Sequence, residues 1–346
     1  METKKIVCTL LLLSFMLTLI SPALAASQEN KLVKVYSLLE DKPEAKPGKP
    51  SGTSVSIRNL ASGDTVYSEV LIIAQATGTF DSVVYQINDG PETGMVQVGS
   101  SDRYQATWDT GTSSPGPYTL TVKAKSSTSV VSTSTDIMVV GGYQSEVYYE
   151  IDYMAGHAPS TSVLDYMVNY WKSRAVLVTY KIDTAVADPT PSDSYISDSD
   201  FWILEKGNND GADNSRYGYA YTSAEKWMLY GTWDSSSNVG GYTYVAISGK
   251  DLVAGNYIFI ADSMIDNWEA AYGIPSDGGE VIVTCHEAGH SVGIAVLRGG
   301  AEKYDADYYS IMSYMRLQNA KDMTGYWYYS KEYWSTTNLS LYPYVP

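Results

Sequence analysis

The stretch Val281-Ile282-Val283-Thr284-Cys285-His286-Glu287-Ala288-Gly289-His290-Ser291-Val292-Gly293 reads as one helix carrying two histidines around a glutamate. Val281, Thr284, Cys285, Ala288 and Val292 recur at the helical period and form a mostly apolar stripe for a core. Asp277 is placed to cap the start of the helix and Gly293 to end it. His286 and His290 are four apart, so their rings leave the same side about one turn from each other. Two imidazoles so placed can share one tetrahedral Zn2+. Glu287 lies about 100° further round, a poor co-ligand but close enough to take a proton from a water on the metal. Cys285 points toward the apolar stripe and reads as core.

Downstream, Tyr309-Ser310-Ile311-Met312-Ser313-Tyr314 resembles the Met-turn of the metzincin clan of metallopeptidases, its serralysin- and astacin-like members especially. His286-Glu287-x-x-His290-x-x-Gly293 matches the first part of that clan's extended motif. The resemblance implies an α/β (α+β) zinc-peptidase domain acting on protein or peptide substrates. In it His286 and His290 hold the metal and Glu287 is the general base. Met312 forms an apolar floor beneath the zinc, and Tyr314 approaches the metal or stabilises the oxyanion.

One position departs from the pattern. In the clan, the glycine turns the chain so that a third ligand arrives three residues later, and here that residue is Val296, which cannot bind zinc. The run Ile294–Leu297, Arg298-Gly299-Gly300, Ala301–Tyr304 reads as a hairpin that brings Asp305 or Asp307 back to the helix end. Asp305 is the favoured third ligand, because a carboxylate suits zinc; Asp307 and His157 are the alternatives. Metallopeptidases that use a glutamate about twenty residues beyond the second histidine fit worse. Position 310 is serine, Glu302 comes too early and Glu332 too late.

Working back from the helix, Val147–Met154 reads as a strand, Ser160–Arg174 as a helix and Val176–Ile182 as a β-branched strand. Strand, helix and strand at that length imply a parallel crossover. Lys226–Trp233, Tyr242–Ile247 and Asn256–Ala261 add strands, whereas 294–346 reads as irregular. The polar stretch Asp183–Ser223 is long for a loop, and Asn208-Asn209-Asp210-Gly211-Ala212-Asp213 within it offers oxygen ligands suited to Ca2+. Of 31 tyrosines, 26 lie from Tyr143 onward, as do seven of the eight tryptophans. Packing explains this excess better than a substrate platform does.

Before Tyr143 the period changes to two. Short alternating segments such as Glu69–Ala76, Tyr104–Trp108 and Tyr118–Ala124 are separated by turns such as Asn88-Asp89-Gly90-Pro91. This pattern indicates an all-β antiparallel sandwich over residues 51–141, and the run from Tyr104 to Ala124 resembles bacterial immunoglobulin-like domains. It carries nothing that looks catalytic and reads as a spacer or weak adhesion module. Residues 27–50 end in a charged, proline-rich tract and read as a linker. Residues 1–26 read as a secretory signal peptide: Lys4 and Lys5, the apolar Ile6–Ile20, then Ala23-Leu24-Ala25. The expectation is a multidomain, extracellular protein, secreted or surface-associated, with its metallopeptidase domain at 143–346 and no stable membrane insertion.

Charge narrows the partners. The formal net charge is −16, and from Tyr143 onward 26 acidic residues face 12 basic ones. A nucleic-acid partner would need the opposite balance. Two other functions compete with peptide hydrolysis. One is a surface adhesion protein on a peptidase fold that has lost turnover, suggested by Val296; the other is a metal-dependent amidase acting on wall material.

Overall fold

A computed structural model of the chain describes residues 31–38, 52–190, 195–207, 225–233, 239–248, 251–274, 277–294, 307, 309–313, 328–335 and 337–344. The signal segment, the 208–213 loop, Val296 with the hairpin around it, Asp305 and Tyr314 lie outside these residues. The described chain is mostly sheet with few helices. The strands are β1 (Lys31–Leu38), β2 (Ser54–Ile57), β3 (Thr65–Val66), β4 (Glu69–Thr77), β5 (Ser82–Ile87), β6 (Glu92–Gly94), β7 (Val96–Gln97), β8 (Arg103–Asp109), β9 (Gly116–Lys125) and β10 (Val130–Val139), followed by β11 (Ser145–Met154). Next come α1 (Thr161–Ser173), β12 (Val176–Val186), α2 (Asp198–Gly207), β13 (Glu225–Tyr230), β14 (Val239–Ser248), β15 (Asp251–Ile260), α3 (Asp262–Tyr272), α4 (Gly278–Ser291) and α5 (Lys331–Trp334).

Strands β2 to β10 build the sandwich. One sheet runs β3-β10-β9-β5-β6 and the other β2-β4-β8-β7. Along β9, Leu120, Val122 and Ala124 alternate inward to meet Val70, Ile72, Ala74 and Trp108 from the facing sheet. The period of two read in the sequence therefore buries one face of each sheet, as an antiparallel sandwich requires.

The second half is a six-stranded mixed sheet in the order β1-β14-β15-β13-β11-β12. β11 pairs in parallel with β12 and β13, and β13 with β15, while β14 runs antiparallel to β15. The β11–α1–β12 crossover forms where the sequence implied it. Ser160 caps α1 by accepting the Ser162 N–H at 3.3 Å, and Arg174 closes it. Val163, Leu164, Met167 and Trp171 are buried beneath that helix. Helix α4 packs on the same side, against β14 and β15. On the other side Phe201 of α2 meets Trp227, Tyr242, Tyr244 and Phe259, with ring centroids 4.9–6.4 Å apart. The tyrosine and tryptophan excess is in this respect a packing feature.

Three readings are corrected. Part of the expected 27–50 linker, Lys31–Leu38, is β1, antiparallel to β14 from Lys31 opposite Ile247 to Leu38 opposite Val239. Its partner strand lies two hundred residues away, so nothing local announces the pairing. Within the polar 183–223 stretch, α2 forms because Ser197 and Asp200 cap each other, Ser197 N to Asp200 Oδ2 at 3.0 Å and Asp200 N to Ser197 Oγ at 3.2 Å. The tail read as irregular contains α5 and buries Tyr328, Tyr329, Trp334 and Tyr342. No helix among the described residues is long and apolar enough to cross a membrane.

Candidate metal centre

Every residue of α4 is buried. Its start is secured differently from the sequence reading. Asp277 occupies the capping position at φ +70°, but its carboxylate makes no cap bond to the helix. Instead it accepts from Ser160 Oγ at 3.1 Å and Ser162 Oγ at 2.7 Å, tying α4 to the start of α1. Glu269 of α3 supplies the cap, taking the Gly279 N–H at 2.6 Å and the Glu280 N–H at 3.3 Å.

The other end stops at Gly293, with φ +93°. Gly293 N–H bonds the His290 carbonyl and Ile294 N–H bonds the Gly289 carbonyl, both at 3.0 Å, which is a Schellman closure. This turn has a chemical consequence: it carries the Ile294 carbonyl back to within 2.8 Å of His290 Nδ1.

His286 is held in the same way by a different segment, its Nδ1 lying 2.9 Å from the Ile311 carbonyl. A carbonyl oxygen only accepts, so both Nδ1 atoms carry a proton, and a ring that is neutral keeps its lone pair on Nε2. These two Nε2 atoms lie 3.0 Å apart, and both rings are fully buried. At that separation the two nitrogens can share a proton as an N–H···N bond or, with both rings neutral, turn both lone pairs to one metal ion. The donor set therefore suits a divalent metal that favours imidazole, with each ring oriented by a backbone carbonyl behind it. Among the described residues no third histidine, cysteine, aspartate or glutamate joins the pair.

Glu287, between the histidines in sequence, faces β14. Thr243 Oγ1 donates to Glu287 Oε2 at 2.6 Å and also lies 3.1 Å from the Glu287 carbonyl. The helix approaches the strand this closely because position 241 is glycine: a Cβ there would stand 3.0 Å from Glu287 Cγ and 2.8 Å from the Phe259 carbonyl. Gly289 serves Met312 similarly, since a Cβ on it would lie 3.2 Å from the Met312 sulfur. Met312 is thus packed under α4 one residue before His290.

The alternative third ligands are committed elsewhere. His157 uses Nδ1 on Asp262 at 2.9 Å and Nε2 on Thr232 at 3.1 Å, and its bond to Asp262 raises its pKa. Asp307 is buried and bound by Arg58, Arg103 and Tyr328. Burial alone would raise its pKa, but the two guanidinium groups hold it below the ordinary value. Cys285 is buried, and burial pushes its thiol pKa up, as befits a core residue. Thr243 and the Ile294 and Ile311 carbonyls escaped the sequence reading. Gly240-Gly241 in a strand was a signal of close backbone approach, whereas a carbonyl partner leaves no mark in sequence.

The geometry can be set beside known proteins. Residues 54–122 match the family model described as a bacterial Ig domain. No curated protein matches the chain. Among solved structures, metalloproteinase-II from Bacteroides fragilis is similar over 92% of this chain and 94% of its own, at 11% identity and a TM-score of 0.38. An endo-beta-1,4-mannanase from Thermotoga petrophila matches over 26% of this chain, at 17% identity and a TM-score of 0.24, and this chain covers only 20% of its length. Fibronectin(III)-like modules of Clostridium thermocellum CbhA match over 25% of this chain and 92% of theirs, at 18% identity and a TM-score of 0.19. Similarities this loose bear on neither mechanism nor substrate.

Proposed function

We propose that the chain is an extracellular zinc-dependent metallopeptidase that hydrolyses peptide bonds. One observation carries this reading: two buried imidazoles, each with Nδ1 turned to a backbone carbonyl, bring their Nε2 atoms within 3.0 Å of each other. A zinc ion held by His286 and His290 would polarise a peptide carbonyl and bring a water toward ionisation at neutral pH. Glu287 takes the proton from the attacking water and passes it to the leaving amine. Thr243 holds one carboxylate oxygen in place while this happens. Zinc peptidases use three protein ligands, and Asp305, in the segment leading to Asp307, is our choice for the third. Tyr314, just past the Met312 turn, is assigned to the developing oxyanion.

The test is cleavage of casein by the purified protein with added zinc, with a chelator, and as Glu287→Ala. The reading predicts loss of cleavage in both controls, on the order of 10³-fold for the variant, with zinc still bound by Glu287→Ala. Chelator-resistant cleavage, or full activity in the variant, contradicts it. A folded, zinc-loaded protein that cleaves nothing would favour the adhesion reading instead.

A further inference from the structure

The sandwich does more than sit beside the second domain. The Asp307 side chain has no exposed surface, and two arginines from the sandwich reach it. Arg58, just after β2, places Nη2 at 2.8 Å and Nε at 2.9 Å from Oδ2. Arg103, the first residue of β8, places Nη2 at 2.8 Å from Oδ1. Tyr328 donates to Oδ2 at 2.8 Å, and the Arg103 guanidinium lies 4.9 Å from the centre of the Tyr309 ring.

Asp307 in turn fixes the segment that holds His286. Its Oδ1 accepts the Tyr309 N–H at 3.3 Å and its carbonyl the Ser310 N–H at 2.9 Å. Ile311 N–H bonds the Tyr328 carbonyl at 2.8 Å, and the Ile311 carbonyl takes the His286 Nδ1 proton at 2.9 Å. Hydrogen bonds and the short backbone between them therefore connect the two sandwich arginines to the imidazole. A planar guanidinium fork fixes direction as well as charge, which an ammonium does not.

The geometry points to Arg58 and Arg103 of the immunoglobulin-like domain as positioning residues for His286, acting through Asp307 and the 309–312 turn to aim its Nε2. The effect on metal binding rests on the zinc reading above; the positioning itself does not. A second contact between the domains supplies a control. Arg174 bonds Asp64 at 2.8 Å and the Asn59 carbonyl at 3.0 Å, and neither bond involves Asp307 or residues 309–312.

The experiment uses the whole protein with ¹⁵N-labelled histidine, whose three residues give three assignable rings. In metal-free protein, His286 and His290 are expected as Nδ1–H tautomers. Arg103→Ala shifts His286 toward a tautomer mixture and leaves His290, held by Ile294 in its own helix end, unchanged. Arg103→Lys restores part of the signal, and Arg174→Ala moves neither ring. If Arg103→Ala does not fold, Arg58→Ala keeps the Arg103–Asp307 pair and shows a smaller shift of the same kind. Zinc affinity by chelator competition falls about tenfold in Arg103→Ala and stays constant in Arg174→Ala. A folded Arg103→Ala or Arg58→Ala with all three histidine signals unaltered overturns the proposal. If the unaltered protein takes up no zinc while His286 still responds to Arg103→Ala, the zinc reading fails and the positioning stands.

Discussion

The two ends of α4 are equally buried and solve the problem of buried polar groups in opposite ways. At the C-terminal end each imidazole proton meets a carbonyl, and the nearby Asp307 meets two arginines and a tyrosine. At the N-terminal end carboxylates crowd one another: Glu280 lies near Asp262, Asp277 and Glu269, and its Oε1 finds no hydrogen-bond partner among the described residues. Desolvation first, then Asp262, pushes the Glu280 pKa up to about 8, and a bond from the Ser160 backbone only partly offsets this. Burial is common to both ends. What differs is the sign of the neighbours.

Removing the match at one end should be the costliest change. Arg103→Ala leaves a buried aspartate short of a partner, and its expected cost is about 4 kcal/mol in chemical denaturation at neutral pH. That penalty should shrink on acidification. A carboxylate with a depressed folded pKa stabilises the native state above its unfolded value and loses that contribution as the pH falls through the folded one. An equal loss at pH 7 and pH 3 would break the contrast.

Glu280 has the opposite sign. Its folded pKa is raised from 4.5 to about 8, so the native state holds the proton more tightly. That contribution is complete below pH 4.5 and is lost as the pH rises through 8. Glu280→Gln should remove a pH-dependent loss of about 4 kcal/mol between pH 4.5 and 8, measured by urea midpoints. An unchanged slope would show that the acidic end is better matched than its contacts indicate.

Smaller changes sharpen the matched end. Gly293→Ala forces an L side chain to φ +93° and puts its Cβ 2.6 Å from Asn338 Nδ2. We expect a loss of about 2 kcal/mol in thermal unfolding. Smallest is Thr243→Val, which removes the hydroxyl on Glu287 and should lower kcat about fivefold with KM unchanged, a cost of about 1 kcal/mol. A change confined to KM would argue that Thr243 serves substrate binding rather than the base.

Much of this architecture can be read from local pattern. The α1 boundaries at Ser160 and Arg174 follow from a capping serine and an amphipathic stripe, and the sandwich strands follow from their period of two. The histidine pair is legible because spacing along a helix fixes which side chains meet. Contacts between distant segments are not legible in this way. Asp307 reads as a metal donor in sequence, and what commits it elsewhere are Arg58 and Arg103, 249 and 204 residues earlier. β1 was hidden for the same reason, since only its pairing with β14 makes it a strand. α2 was missed differently: Ser197 and Asp200 did announce a capped helix, but the surrounding aspartates made the stretch look like loop.

The central claim is that His286 and His290 converge in order to hold a catalytic zinc. Its most direct test is metal content after dialysis against zinc, for the whole protein and for His290→Ala, alongside casein cleavage by the same samples. The account predicts one zinc per chain with cleavage in the unaltered protein, and neither in the variant. Stoichiometric zinc retained by a folded His290→Ala, or cleavage by zinc-free protein, would contradict it.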